Sequence, residues 1–587
     1  METKKLHTPE GAPVSQQNLA ADGHGDGVLQ ALHALYLHRQ LCDYTIIAEG
    51  RRFSTHKNIL ASVSDYFHAM LTGSMMEAKQ DFVELKGVTA HAVKALLHFA
   101  YTGQLRLNME AVMEIVAGAC HLQMTGAIGL CCDFMLSETN TKTCVDMLNM
   151  ADMFSLGAVR DHAVSYIQAN FDKVCESEQL LRLSKEYLLQ LVRSDDMQCA
   201  SELCLFQALL RWLDADREGR MQHMGELCAY VRFSLMRPEE LVDQVSQTHL
   251  MVNNAGCRLY LEEALHYQLL PQRQVLMQTP RSQIRNKPCL VAFGGRYGNH
   301  IGYRHNSNKM YALYENEWIP LRNTETNFLY AAVAVYDNFM YVCGGMGKPA
   351  HARAMCQRYD PRCGLWTKLR SMLLRRQSFP LVAMDGKLYA FGGGTPQDIG
   401  YEHPPTDSSE VYSIDTNEWH SITPLPERRK SCSACEHQQK IYLSGGRTET
   451  DTMTSFWCYS PEVKSWEVLP DMLLPHGGHA MFVVDEAIYV MDRNTGSVEF
   501  YSQCAKQWTF VTCPFDVISG VARPATLGPW VYFASYLQED QERLCKRVNV
   551  LTRQTESLQE YPELVLCVIS TVLTLPRSAL TNNNKSD

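Results

Sequence analysis

Basic side chains cluster at a few recurring places in the second half of this chain. Arg296, Tyr297, His300 and His305 follow one glycine pair and Arg447 follows another, while Arg375-Arg376 and Arg428-Arg429-Lys430 stand just ahead of apolar runs. Guanidinium groups carried on loops suit the bidentate grip of carboxylates. The pattern therefore points to capture of an acidic protein segment. The other reactive groupings lead elsewhere. Cys432-x-x-Cys435 has the spacing of a metal or redox pair. It falls on an expected strand, where positions i and i+3 face opposite sides, with only His437 near it. Core thiols are the plain reading, as they are for Cys131-Cys132 on an expected helix. No glycine-rich phosphate loop, paired catalytic carboxylates or His-x-Glu zinc spacing occurs. The expectation is a binding protein with no cofactor and no metal, not an enzyme.

The elements that carry those arginines repeat. Val291-Ala292-Phe293-Gly294-Gly295 is followed by Tyr341-Val342-Cys343-Gly344-Gly345, Tyr389-Ala390-Phe391-Gly392-Gly393 and Tyr442-Leu443-Ser444-Gly445-Gly446, with first glycines 50, 48 and 53 residues apart. A period near ~50 belongs to propellers and other repeat folds. A second signal keeps register with it. Tyr311, Tyr359, Tyr412, Tyr459 and Tyr501 each precede a tryptophan by seven residues: Trp318, Trp366, Trp419, Trp466 and Trp508. With a turn midway, each pair sits directly opposite on one face of a hairpin. Turn signals upstream, such as Asp337-Asn338 and Asp385-Gly386, complete four short strands per repeat. Copies of a four-stranded sheet that bury both faces against one another form a propeller.

These repeats resemble Kelch repeats over about 290 residues. Two further repeats are irregular. Asp492-Arg493 and then Ser535-Tyr536 occupy the glycine positions, and Val548 and Thr555 stand where the sixth Tyr and Trp belong. The first repeat lacks its leading strand, and a strand at Leu564–Leu573 has no repeat of its own. Pairing the two closes a six-bladed propeller and leaves no open edge. The resemblance also places the loops after the glycines and those entering the inner strands on one face. It implies a client-binding rim of Arg296, Tyr297, Arg375, Arg376, Arg428, Arg429 and Arg447. Kelch propellers also include copper oxidases, but His476 and His479 alone do not supply the Tyr and His ligands that chemistry needs.

Upstream, residues 28–137 read as an α+β unit. Val28, Leu29, Leu32, Leu35 and Tyr36 share a helical face, a Glu49-Gly50 hairpin follows, and helices run on to Leu136. Leu41-Cys42-Asp43, Phe53-x-x-His56-Lys57 and Phe99-Ala100-Tyr101-Thr102-Gly103 resemble a BTB domain. That resemblance implies dimerisation through Leu29, Leu32, Leu35 and Tyr36, and contact with cullin-3 through Leu71, Met75 and Glu77. Asp43, His56 and Lys57 are expected to be structural. Residues 138–270 read as helix after helix and resemble the BACK domain, with Ala151-Asp152-Met153-Phe154 and Glu202-x-x-x-Phe206-x-Ala208-x-x-x-Trp212. Residues 271–288 read as a polar linker with solvated Arg281, Arg285 and Lys287. Residues 1–27 and 577–587 read as disordered tails flanking a propeller at 289–576.

The 587 residues carry a net charge of −10, which does not favour non-specific nucleic-acid binding. The 21 cysteines and the absence of an apolar leader near Met1 fit reduced thiols in the cytoplasm or nucleus. The apolar run Leu564 to Leu575 is too short to span a bilayer. The chain thus resembles the BTB–BACK–Kelch family. That implies a homodimeric substrate adaptor of a cullin-3 RING ubiquitin ligase whose client the sequence does not name. Competing readings are an actin-binding scaffold and a transcriptional repressor; the second lacks zinc-finger spacing.

Overall fold

The structure is a computed structural model that describes residues 24–73, 80–297, 307–347, 351–396, 403–492, 497–511, 524–537, 542–562, 565–566 and 568–581. The chain divides into two compact units, Met1–Ile167 with Ser177–Arg182, and Gln168–Glu176 with Leu183–Asp587.

In the first unit the strands Tyr44–Ala48 and Arg51–Thr55 pair around Glu49-Gly50, and Phe82–Leu85 adds in parallel to Tyr44–Ala48. The two turn residues take φ of 48° and 74°, the tight turn expected there. Helices Lys57–Val63, Asp65–Thr72, Ala90–Thr102, Val112–His121 and Thr125–Ser137 complete the α+β layer. The Ser64 hydroxyl accepts from the Phe67 amide to start one of them, and Gly103 ends another in the left-handed region at φ 69°. Tyr44, Ile46, Phe67, Val93, Leu96, Leu97 and Tyr101 lie in its core.

Among the described residues no strand occurs between Leu85 and Pro288; up to Leu269 the stretch is helical, as expected. Helix Glu202–Asp214 is capped by Ser201 and buries Leu205, Phe206, Leu209, Trp212 and Leu213. Residues 271–288 correct the sequence reading. They form short 3-10 turns, Pro271–Met277 and Pro280–Ser282, and are strapped down. Val275 is buried among Phe339, Tyr341, Tyr412 and Trp419. Arg285 is buried, donating to Glu202 and to the carbonyls of Val192, Ser194 and Tyr230. Arg281 pairs with Glu263. Only Lys287 is exposed as expected.

Beyond the strap, the described residues form six four-stranded antiparallel sheets. In the second to fifth, the Tyr–Trp pairs stand directly opposite: Tyr359 with Trp366, Tyr412 with Trp419, Tyr459 with Trp466 and Tyr501 with Trp508. Val548 and Thr555 pair in the same way in the sixth. The first sheet differs. Trp318 faces Leu313, and Tyr311 faces Pro320. Its hairpin turns on two residues, Glu315 and Asn316, both at positive φ. In the second to fifth sheets this hairpin uses four residues and places only the last, Gly364, Asn417, Lys464 or Lys506, at positive φ. Turn length sets register, so the shorter turn moves the pairing along by two.

Strand Ile569–Thr574 pairs with Pro288–Phe293 and completes the first sheet, while Val565–Leu566 pairs with Arg296–Tyr297. Leu564 lies outside the described residues. In the sixth sheet, where no glycine pair interrupts it, Trp530–Leu537 continues through Ser535 and Tyr536 for eight residues; the equivalent strand Phe339–Cys343 has five. The leading strands of all six sheets line one cavity of about 540 Å3. At the C-terminal side, Arg577–Thr581 is helical rather than an open tail, and Leu580 is buried with Val291 and Leu573.

Candidate functional site

The glycine pairs shape the loops beside which the basic residues stand. Gly344, Gly392 and Gly445 take φ of 69°, 58° and 53°, and a Cβ there would lie 2.5, 2.6 and 2.3 Å from the carbonyl oxygens of Arg376, Arg429 and His476. No side chain fits. The next residues, Gly345, Gly393 and Gly446, donate their N–H to those same carbonyls at 3.0, 2.9 and 2.7 Å. Each loop that follows a glycine pair is thereby tied to the loop that enters the next sheet's leading strand. Bridges Arg353–Arg376, Thr406–Arg429 and Lys430–Arg447 extend the tie.

Beside these loops the two double arginines split. Arg375 and Arg428 are exposed, whereas Arg376 and Arg429 are fully buried. This corrects the expectation that all four face a partner. Arg376 donates from Nη1 to the carbonyls of Gly392 and Ser408, and from Nη2 to Glu410 at 2.5 Å. Glu410, equally buried, also accepts the amides of Leu373 and Leu374 at 2.7 and 3.0 Å. Arg429 donates to the Gly445 carbonyl and the Ser455 hydroxyl and lies 3.6 Å over the Trp457 ring. These arginines hold a loop to the neighbouring sheet. A buried guanidinium needs each of those acceptors.

The same slot recurs once more with a different occupant. His476 is buried, with Nδ1 3.0 Å from Asp492 and Nε2 3.0 Å from Glu499. Glu499 in turn accepts the amides of Leu473 and Leu474 at 2.8 and 3.0 Å. Burial works against the charged ring, but the two carboxylates outweigh it and raise the His476 pKa above its ordinary value.

The remaining basic residues are placed as follows. Arg447 is exposed, Arg296 is half-buried, and Lys430 donates to the His403 carbonyl at 2.8 Å. The backbone of Tyr297 pairs with Val565; His300 and His305 lie outside the described residues. Arg428 stands 3.8 Å from Asp407. Sequence reasoning missed the apolar part of this face: Leu373 is 62% exposed, Leu473 45% and Leu474 38%, beside exposed Pro475. A signal was present. Arg376, Arg429 and His476 each stand sixteen residues before the first glycine position, Gly392, Gly445 and Asp492. Phe328 holds the same place before Gly344, and an apolar occupant marks the slot as interior.

In the first unit, helix His24–Leu37 has no fully buried residue. Leu32 and Tyr36 pack partly on the core, Tyr36 stacking on Tyr101 at 4.4 Å. Leu29 and Leu35 are half-buried, and Val28, Leu37 and Leu41 are exposed. Leu71 is half-buried against the same core; Met75, Met76 and Glu77 lie outside the described residues. His56 bridges the Tyr101 hydroxyl at 2.6 Å and the Gln40 carbonyl at 3.0 Å. Asp43 accepts the Lys57 amide at 2.8 Å. Lys57 reaches Asp81 at 3.8 Å rather than Asp43. All three therefore have structural partners.

Comparison with known proteins follows this division. Residues 32–139 match the BTB/POZ domain, 144–246 the BACK domain (BTB And C-terminal Kelch), and 283–496 the KLHDC2/KLHL20/DRC7 Kelch-repeats domain. The chain is 32% identical over 584 residues to Kelch-like protein 26 of Danio rerio, covering 95% of this chain and 94% of that protein. It belongs to the Kelch-like family. The human Kelch-like protein 26 is 35% identical over 451 residues, covering 75% of this chain and 72% of that protein. Human Kelch-like protein 31 is 31% identical over 398 residues, covering 66% of this chain and 62% of that protein. Within this Kelch-like chain, burial pushes the Cys432 and Cys435 thiols above their ordinary values, that of Cys432 to about 11. No cluster of three or more metal-ligating side chains occurs among the described residues. None of the described helices is long and apolar enough to cross a membrane.

Proposed function

We propose that this Kelch-like chain is a substrate-recognition adaptor of a cullin-3 RING ubiquitin ligase working in the cytoplasm. The single observation that carries the reading is the succession of BTB, BACK and Kelch regions in one chain that aligns almost end to end with another Kelch-like protein. The BTB region dimerises through Leu29, Leu32, Leu35 and Tyr36 and docks cullin-3 with Leu71, Met75 and Glu77. The six sheets close into a six-bladed propeller. The pairing of Ile569–Thr574 with Pro288–Phe293 and the cavity lined by all six leading strands support that closure. The glycine-loop rim takes the client through Arg296, Tyr297, Arg375, Arg428 and Arg447, with Leu373, Leu473 and Leu474 as apolar contacts. The chain supplies no catalytic group. It raises the effective concentration of client lysines near the charged carrier enzyme.

Pulldown with purified cullin-3 tests the reading. The parent chain binds, and the Met75→Ala/Glu77→Lys double variant does not. Co-sedimentation with actin filaments in the absence of any cullin-3 binding would replace the adaptor with a cytoskeletal scaffold.

A further inference from the structure

Two loops of the rim are built alike and differ in the residue that fills the slot. In each, a buried glutamate accepts two consecutive leucine amides and is itself held by the slot residue. Glu410 holds Leu373 and Leu374 and is anchored by Arg376. Glu499 holds Leu473 and Leu474 and is anchored by His476. Arginine keeps its proton at any physiological pH, whereas histidine does not. A carboxylate only accepts, and His476 faces one at each ring nitrogen, Asp492 and Glu499, both at 3.0 Å. Both nitrogens must then carry hydrogen, which only the imidazolium provides.

Among the described residues, two other groups with nitrogen donors lie near His476, and neither replaces that charge in the contacts named below. From the neighbouring elements the groups near His476 are Asp492 at the end of strand Ala487–Met491 and Glu499 on Val498–Ser502, together with two others. One is the His479 ring, 5.6 Å away and bonded to the Ser444 hydroxyl; the other is Arg447, which lies along Gly477. Loss of the imidazolium proton leaves one N–H for two carboxylates, so a ring lone pair faces either Glu499 or Asp492, both buried. A buried carboxylate that faces a lone pair in place of a donor is relieved by local opening.

We propose that His476 is a positioning residue that, as an imidazolium between Asp492 and Glu499, holds the Leu473-Leu474-Pro475 loop on the rim and releases it when the proton leaves. The partner surface so controlled is apolar, since Leu473, Leu474 and Pro475 are all exposed. Its use for client capture rests on the adaptor reading above; the control of the loop does not. The sign is fixed by the raised pKa. A group that binds its proton more tightly in the folded state stabilises fully below its ordinary value of 6.5. That stabilisation is lost as pH rises through the folded value.

Amide hydrogen exchange on the whole chain tests this without cullin-3 or client, so its failure and that of the adaptor reading are separable. After correction for intrinsic exchange, protection of the Leu473 and Leu474 amides falls by about tenfold between about pH 6 and about pH 9. Protection of Leu373 and Leu374 in the same molecule stays flat. His476→Arg makes the two loops behave alike. His476→Gln leaves the 473–474 amides poorly protected at every pH. A flat profile at Leu473 and Leu474 in the parent overturns the proposal, as does a fall that survives in His476→Arg. If both variants fail to fold, the comparison of the two loops within the parent still decides.

Discussion

The loop anchored by Arg376 and the loop anchored by His476 solve one packing problem with different chemistry. Both tie a rim loop to the next sheet through a buried glutamate. One uses a permanent charge, the other a charge set by pH. Between them in sequence, Arg429 fills the same slot but leans on Trp457 instead of a buried acid. Phe328, in the earliest copy, dispenses with charge. A repeat therefore fixes the geometry of the slot and leaves its electrostatics to vary, so adjacent rim loops on one scaffold differ in how firmly they are held.

Substitutions rank this comparison. Arg376→Ala leaves Glu410 charged and buried, and costs about 3–5 kcal/mol, seen as a lowered midpoint in tryptophan-fluorescence unfolding by denaturant. Arg429→Ala loses hydrogen bonds and a ring contact but strands no buried acid, because Glu427 is exposed. About 2–3 kcal/mol is expected by the same measurement. An equal or larger loss would mean that the ring contact, not the buried carboxylate, governs the slot. Raising the parent from about pH 6 to about pH 9 lowers the same midpoint through His476, whose pKa is raised in the fold, and His476→Arg abolishes that component of the pH-dependence. Arg375→Ala and Arg428→Ala, one residue from the buried arginines, change stability by less than about 0.5 kcal/mol. Client capture nevertheless weakens while cullin-3 binding is kept. Retained capture in the double variant would take the rim away from these two arginines.

Regularities within one repeat were legible in the amino-acid order. The glycine pairs marked the strand ends, and the Tyr–Trp spacing gave the hairpin register in the second to fifth sheets. It failed in the first because Glu315 and Asn316 form a two-residue turn, and a spacing of seven does not reveal turn length. The strap at 271–288 was misread for a different reason. Arg285 is buried by Glu202, 83 residues away, and no local pattern announces such a partner. The inward arginines were assigned outward because neighbouring residues in a loop, unlike those in a strand, have no fixed alternation. Lining up the copies on their glycines would have separated Arg375 from Arg376. The helix at Arg577–Thr581 leaves little mark in the sequence, since its buried Leu580 has only Ala579 as an apolar neighbour within residues 577–587.

The first sheet joins Pro288–Phe293 to Ile569–Thr574. During synthesis, which runs at roughly 5–20 residues per second, its leading position stays vacant for about 15–60 s while the intervening chain is made. For that interval Cys289, Val291 and Phe293, buried in the finished fold, border an unpaired strand edge. Such an edge is open to mispairing. The stretch most exposed to chaperones, and to misassembly with a second nascent chain, is thus the one at the start of the repeats rather than the one made last.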